Sequence, residues 1–215
     1  MFSSLSNLDI FALAFFIIIW SLYSFLPLIH STTYNLSSVI HRYRLQWVKN
    51  IVKKSNRGDD LLVVISKSKI ASILMVVAFM AAFVCCFAII KGEFEDVINF
   101  KLILMAVVFI LAFFKFSWVI RQLSYILLLI EAAPNRKENS DLVADLKRQT
   151  RYVNKTAIML SNIDKNYNSG IESLYLSFAL IAWIINVWLF ILASILIVSL
   201  LYYREYMSRS LILLS

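Results

Sequence analysis

Three glycines and two prolines are all that this chain of 215 residues contains. With so few residues that stop a helix, even the connections between apolar runs can be helical, and the fold class read from this is all-α. Chemistry-bearing patterns are equally scarce. The chain has no P-loop, Rossmann fingerprint, nucleophile elbow or zinc pattern, and its carboxylates are scattered through the connections. The two histidines, His30 and His41, lack metal-ligand spacing and read as interfacial residues. Cys85 and Cys86 are adjacent within an apolar stretch, poor geometry for pairing with each other and no metal cluster, so they read as packing residues. No catalytic, cofactor-binding or metal-binding residue is assigned, no cofactor is expected, and the chain reads as not an enzyme.

Charge is sparse too, at 16% of residues, while 61% are hydrophobic and the mean hydropathy is +0.79. That balance falls outside the soluble class and predicts an integral membrane protein, residues 1–215 forming a single membrane domain with no room for a second sizeable one. The formal net charge of +8 could suggest nucleic acid. The cations, however, sit in segments flanking apolar runs, where anionic lipid headgroups are the nearer partner, so no nucleic acid is expected. The first residues, MFSSLSNLDIFALAFF, carry no basic n-region, and no small-residue cleavage site follows, so the first apolar run is read as a span that stays.

About 20 apolar residues are needed to cross the hydrocarbon core, and four stretches qualify: 9–29, 70–90, 101–130 and 173–202. The third is about 45 Å long at 1.5 Å per residue, against a core of about 30 Å, so part of it must tilt or protrude. Lys and Arg are distributed unevenly: eight in residues 30–69, seven in 131–172 and two in 91–101. The first and third connections therefore face the cytoplasm. Four spans then put both termini on the outer, periplasmic side of the cell inner membrane, although Arg204 and Arg209 agree less well with that. The glycine-containing DKNYNSG stretch that ends at Gly170 is the expected break before the fourth span.

Both cytoplasmic connections read as amphipathic helices, over 36–57 and 139–165. In the first, Ile40, Tyr43, Trp47 and Ile51 share a face, with Arg42, Gln46, Lys49 and Lys53 opposite. Arg42, Arg44, Trp47, Lys49 and Lys53 are the expected contacts to anionic lipid, and packing on the cytoplasmic end of the bundle is compatible with that role. The second has Ser140 as its N-cap, Asp141 and Asp145 in its early turns, and an apolar stripe of Leu142, Leu146, Val153, Ala157 and Leu160 that should pack on the bundle or on another subunit.

Two cations, Lys115 and Arg121, interrupt the apolar FFKFSWVIRQLSYILLLIEAAP. About 21 Å and about 30 Å beyond Lys101, both belong to the inner half of the third span. Three readings are open. Lys115 snorkels and Arg121 marks the headgroup level. Alternatively Lys115, Arg121, Gln122 and Asn186 form an intramembrane polar network, with Glu131 or Glu172 near Arg121. In the third, copies of the chain line a pore with these cations.

In HRYRLQW at 41–47, Asn56 and Arg57, FFKFSW at 113–118 with Arg121, Tyr125 and Ala132–Pro134, and YREYMSRSL at 203–211, the chain resembles the membrane protein family grouped as domain of unknown function 599. The resemblance covers nearly the whole length and implies a helical multi-span protein. It implies no particular chemistry, and the acidic Glu172 before the last apolar run departs from the family's more basic pattern there. The function expected is an oligomerising or accessory inner-membrane component, a homo-oligomer or a subunit of a complex, whose basic cytoplasmic helices contact anionic lipid or a partner. The alternative is an oligomeric ion channel or transporter with Lys115 and Arg121 near a polar pathway.

Overall fold

The computed structural model describes residues 6–29, 36–53, 58–92, 96–133 and 142–206. Among the described residues six helices follow one another: α1 (Asn7–Ile29), α2 (Leu36–Lys53), α3 (Gly58–Lys91), α4 (Asp96–Glu131), α5 (Leu142–Ile185) and α6 (Val187–Tyr206). No strand occurs among the described residues. Among the described residues four helices, α3, α4, α5 and α6, are long and apolar enough to cross a membrane; α1 is apolar over Asn7–Leu22 and runs on to Ile29, 23 residues in all.

Of the four stretches read as spans, 9–29 lies inside α1. Residues 70–90 and 101–130 lie inside α3 and α4, but 173–202 is two helices, with Asn186 the one residue between them outside a helix. The chain turns sharply there. Trp183 and Phe190 stack face to face with ring centroids 4.9 Å apart, whereas seven residues of unbroken helix separate positions by about 10 Å. Beyond the turn, α6 lies back along α5, packs on α1 and reaches α2. Asn186 makes the turn possible by serving both helices. Its N–H donates to Ala182 O at 3.0 Å, its carbonyl accepts the first bond of α6 from Phe190 N at 3.1 Å, and its Oδ1 accepts from Trp188 N at 2.9 Å, an N-cap bond.

A second difference concerns the expected break at Gly170. Helix α5 runs through it unbroken, 44 residues in all, about 66 Å. The glycine is there for contact. A Cβ at 170 would come within 2.8 Å of the buried Phe116 ring of α4, and that ring also meets Tyr167 edge to face, 5.9 Å between centroids. Close approach of α4 to α5, not chain reversal, accounts for the residue.

Helix α4 stands between α3 and α5. Small residues let α3 approach it: Ala78, Ala82 and Cys85 of α3 cluster with Ala106, Ala112 and Phe116 of α4. Cys85 is buried as expected, but Cys86 is exposed, one residue round the helix on the outward face. At one end of the molecule Ala12 and Phe16 of α1 join the core with Trp183, Phe190 and Ile197, Phe16 and Phe190 lying 5.1 Å apart. At the other end Ile51 of α2, Val64 of α3, Val119 to Ile130 of α4 and Ile163 of α5 form a second core. We call this the α2 end. There Val48 and Val52 of α2 pack on Val153 and Ala133. Over its second half α2 thus buries Val48, Ile51 and Val52, rotated from the expected face, with Tyr43 54% exposed and Trp47 half-buried; near its start Val39 is buried as well. In the second amphipathic segment Val153 and Ala157 are buried, while Leu146 is exposed. Ser140, Asp141 and His30 lie outside the described residues.

Candidate functional site

Polar side chains gather at the two ends of the molecule. At the α2 end, Asp164 of α5 accepts hydrogen bonds from both Arg44 of α2 and Lys67 of α3, joining three helices through one carboxylate. One turn earlier, Ser161 Oγ donates to Ala157 O at 3.0 Å. That uses its one proton, so the oxygen is an acceptor toward Arg44 Nη1 at 3.1 Å and toward His41 Nδ1 at 2.8 Å. With the hydroxyl proton on Ala157 O, this bond is the one made by the Nδ1–H tautomer of the imidazole. The cluster holds α2 in one orientation. Arg42 and Lys49 of α2 remain exposed, as do Lys147, Arg148, Arg151 and Lys155 of α5, so this end presents cations to its surroundings.

At the opposite end, Asp9 of α1, Lys101 of α4 and Trp183 of α5 meet with 6%, 8% and 0% of their surface exposed. Ser6 caps α1 by accepting from Asp9 N at 3.1 Å and donates its hydroxyl to Asp9 Oδ2 at 2.7 Å. Asp9 Oδ1 accepts from Trp183 Nε1 at 2.8 Å and pairs with Lys101 Nζ at 3.2 Å. The ammonium also donates to Trp183 O at 3.1 Å and lies 5.0 Å from the indole centroid. Trp183 O is one of the last carbonyls of α5, left without a helical donor by the turn at Asn186, and a cation satisfies it. Burying two charges is costly, and such a pair persists only where further hydrogen bonds satisfy it, as these do. Its consequence is registry: α1 is fastened to α4 and α5 at a single position.

The residues singled out from the sequence divide between these surroundings. Arg44 faces inward, tied to Asp164, and Trp47 packs in the core of the α2 end. Arg42 and Lys49 face outward; Lys53 closes α2, and its side chain lies outside the described residues. The four intramembrane candidates do not converge. Gln122 Oε1 accepts from Asn166 Nδ2 of α5 at 3.2 Å, Arg121 Nε donates to Tyr125 OH one turn along α4 at 2.9 Å on an exposed face, and Lys115 is half-buried. Asn186 sits at the turn beside Trp183, close to Lys101 and about 21 Å of helix away from Lys115.

Sequence reasoning passed over Asp9, Lys67, Lys101, Ser161 and Asp164. A signal existed for Asp9, the one acid at the start of an apolar run otherwise without charge. For Asp164 the signal was masked by its place in a stretch that resembled a loop. No group of three or more metal-ligating side chains occurs among the described residues.

Compared with known proteins, residues 11–210 match a family model described as protein of unknown function, DUF599. No curated protein and no solved structure matches the chain.

Proposed function

Because the chain belongs to the family of unknown function DUF599, we propose its role from its own geometry: a non-enzymatic accessory or oligomerising component of the cell inner membrane. In this reading the α2 end faces the cytoplasm and holds anionic headgroups or an acidic partner on its cations. The observation that carries the reading is the fixed orientation of α2. Arg44 is committed to Asp164 while Arg42 and Lys49 of α2 stay exposed, and the exposed Lys147, Arg148, Arg151 and Lys155 of α5 belong to the same end of the molecule. Each cation near an anionic leaflet contributes about 1 kcal/mol of attraction.

The reversal at Asn186 changes the expected topology. Five helices, α1, α3, α4, α5 and α6, then cross the membrane, with Asp9 outside and the end of α6 inside. This arrangement removes the disagreement over Arg204, which now joins the cytoplasmic cations. Side chains on outward faces support a common inner boundary. Along α4 the exposed residues run from Ile103, Val107, Ile110 and Phe114 to Trp118, Arg121 and Tyr125; along α6 they end in Tyr202 and Tyr203. Aromatic residues with cations mark the headgroup level. Arg121 is then an interfacial residue, and the protruding ends of α3, α4 and α5 form a helical stalk with α2.

The second reading is an oligomeric channel or transporter, favoured by the half-buried Lys115 deep along α4. Flux through liposomes containing the purified protein separates the two. The accessory reading expects no ion flux above that of empty vesicles; flux whose ion selectivity changes on Lys115→Gln would replace it with the channel.

A further inference from the structure

Between α3 and α4, near the inner boundary, lies an open cavity of about 550 Å³ lined by Ile65, Ser68, Lys69, Ser72, Ile73 and Leu127. The volume is within the range of about 300–1,000 Å³ usual for ligand sites. Its lining changes character along the helix. Lys69 is the last charged residue before the uncharged run 70–90, so Ile73 lies one turn into hydrocarbon while Lys69 sits at its edge. The level can be checked on α4. Phe79 packs beside Phe113, rings 5.9 Å apart; ten residues back on α3 is Lys69 and ten onward on antiparallel α4 is Leu123, two residues from Arg121. Both cations thus stand at one depth.

Neighbouring side chains on α3 have separate duties. Lys67 turns toward α5 and binds Asp164, whereas Lys69, about 200° round the helix, is exposed and lines the cavity. Ser72 Oγ donates to Ser68 O at 2.9 Å, so its hydroxyl is held in the wall and the Lys69 ammonium and Ser68 hydroxyl are the donors offered to a ligand. An apolar groove open toward the bilayer, with a cation at the headgroup level, matches one class of occupant.

We propose that this α3–α4 groove binds a single anionic glycerophospholipid, its phosphate on Lys69 and Ser68 and an acyl chain along Ile73. The site is distinct from the α2 cations and rests on the membrane orientation proposed above. Charge decides against a second copy of the chain as occupant: this end of the protein is basic, and like charges would face each other across such an interface.

Native mass spectrometry of the full chain in detergent, with phosphatidylglycerol or phosphatidylcholine added, tests the assignment. Phosphatidylglycerol should be retained in preference, and Lys69→Gln should reduce its retention about fivefold, the effect of one cation worth about 1 kcal/mol. Ile73→Trp, an exposed position, should fill the groove and reduce both lipids. Unchanged retention in Lys69→Gln overturns the site. If only the double variant Arg42→Gln, Lys49→Gln lowers retention, the groove is refuted while the α2 surface reading stands. Loss in Lys69→Gln with no effect of the double variant leaves the groove and removes lipid from α2. Displacement of the lipid by glycerol 3-phosphate would assign the cavity to a soluble phosphate ester and also overturn the proposal.

Discussion

Gly170 shows how one residue type can signal opposite structures. In sequence it stands among Asp, Asn and Ser and resembles a helix break; in the folded chain it is mid-helix, and the absent side chain makes room for Phe116. Gly170→Leu is therefore expected to destabilise the protein by about 2 kcal/mol or more, since overpacking a filled site costs about 1–3 kcal/mol. Thermal unfolding in detergent measures this. In a Phe116→Ala background, where the ring is gone, the same substitution should cost distinctly less; an equal cost in both would mean that contact with Phe116 is not the reason for glycine. Residue type alone could not decide between break and contact, because the deciding atom lies on another helix. Arg44 presents the same difficulty, since a basic residue on an amphipathic helix looks alike whether it meets lipid or Asp164.

At the level of elements, the apolar runs 70–90 and 101–130 were legible, but not the helices that contain them: α3 starts at Gly58, twelve residues before its uncharged run. Uncharged runs and three-and-four spacing are local properties. The face that α2 buries was not. Ile40, Tyr43, Trp47 and Ile51 is the stripe that hydrophobicity selects, yet over the second half of α2 Val48, Ile51 and Val52 are the residues covered, on the side of the helix where Arg44 and His41 bond Asp164 and Ser161. Asp164→Asn removes the charge that both Arg44 and Lys67 share. A hydrogen bond to a charged group is worth about 1.5–3 kcal/mol, so amide exchange at Val48 and Ile51 should accelerate about tenfold or more, with little change at Ala106 and Phe109 in the distant core. Uniform acceleration across the molecule would show instead that α2 does not open as a separate unit.

For the whole molecule the decisive feature is the direction of α6. Four spans and five spans put the C-terminal end of the chain on opposite sides of the membrane, and only the turn at Asn186 distinguishes them. A fluorescent protein that matures only in the cytoplasm, fused at the C-terminus, is expected to fluoresce, and an export-dependent phosphatase at the same place to stay inactive. The reverse pattern would restore the four-span topology. Composition and hydropathy by themselves determined that the chain is helical and suited to a bilayer, because the cost of unpaired backbone groups in hydrocarbon leaves few other solutions. The order of residues also carried the family resemblance. What only tertiary structure decided was where one apolar run divides, which cation finds a carboxylate, and which glycine is a contact. Each depends on atoms brought together from helices far apart in the chain, as with Lys101 satisfying both Asp9 and the free carbonyl of Trp183.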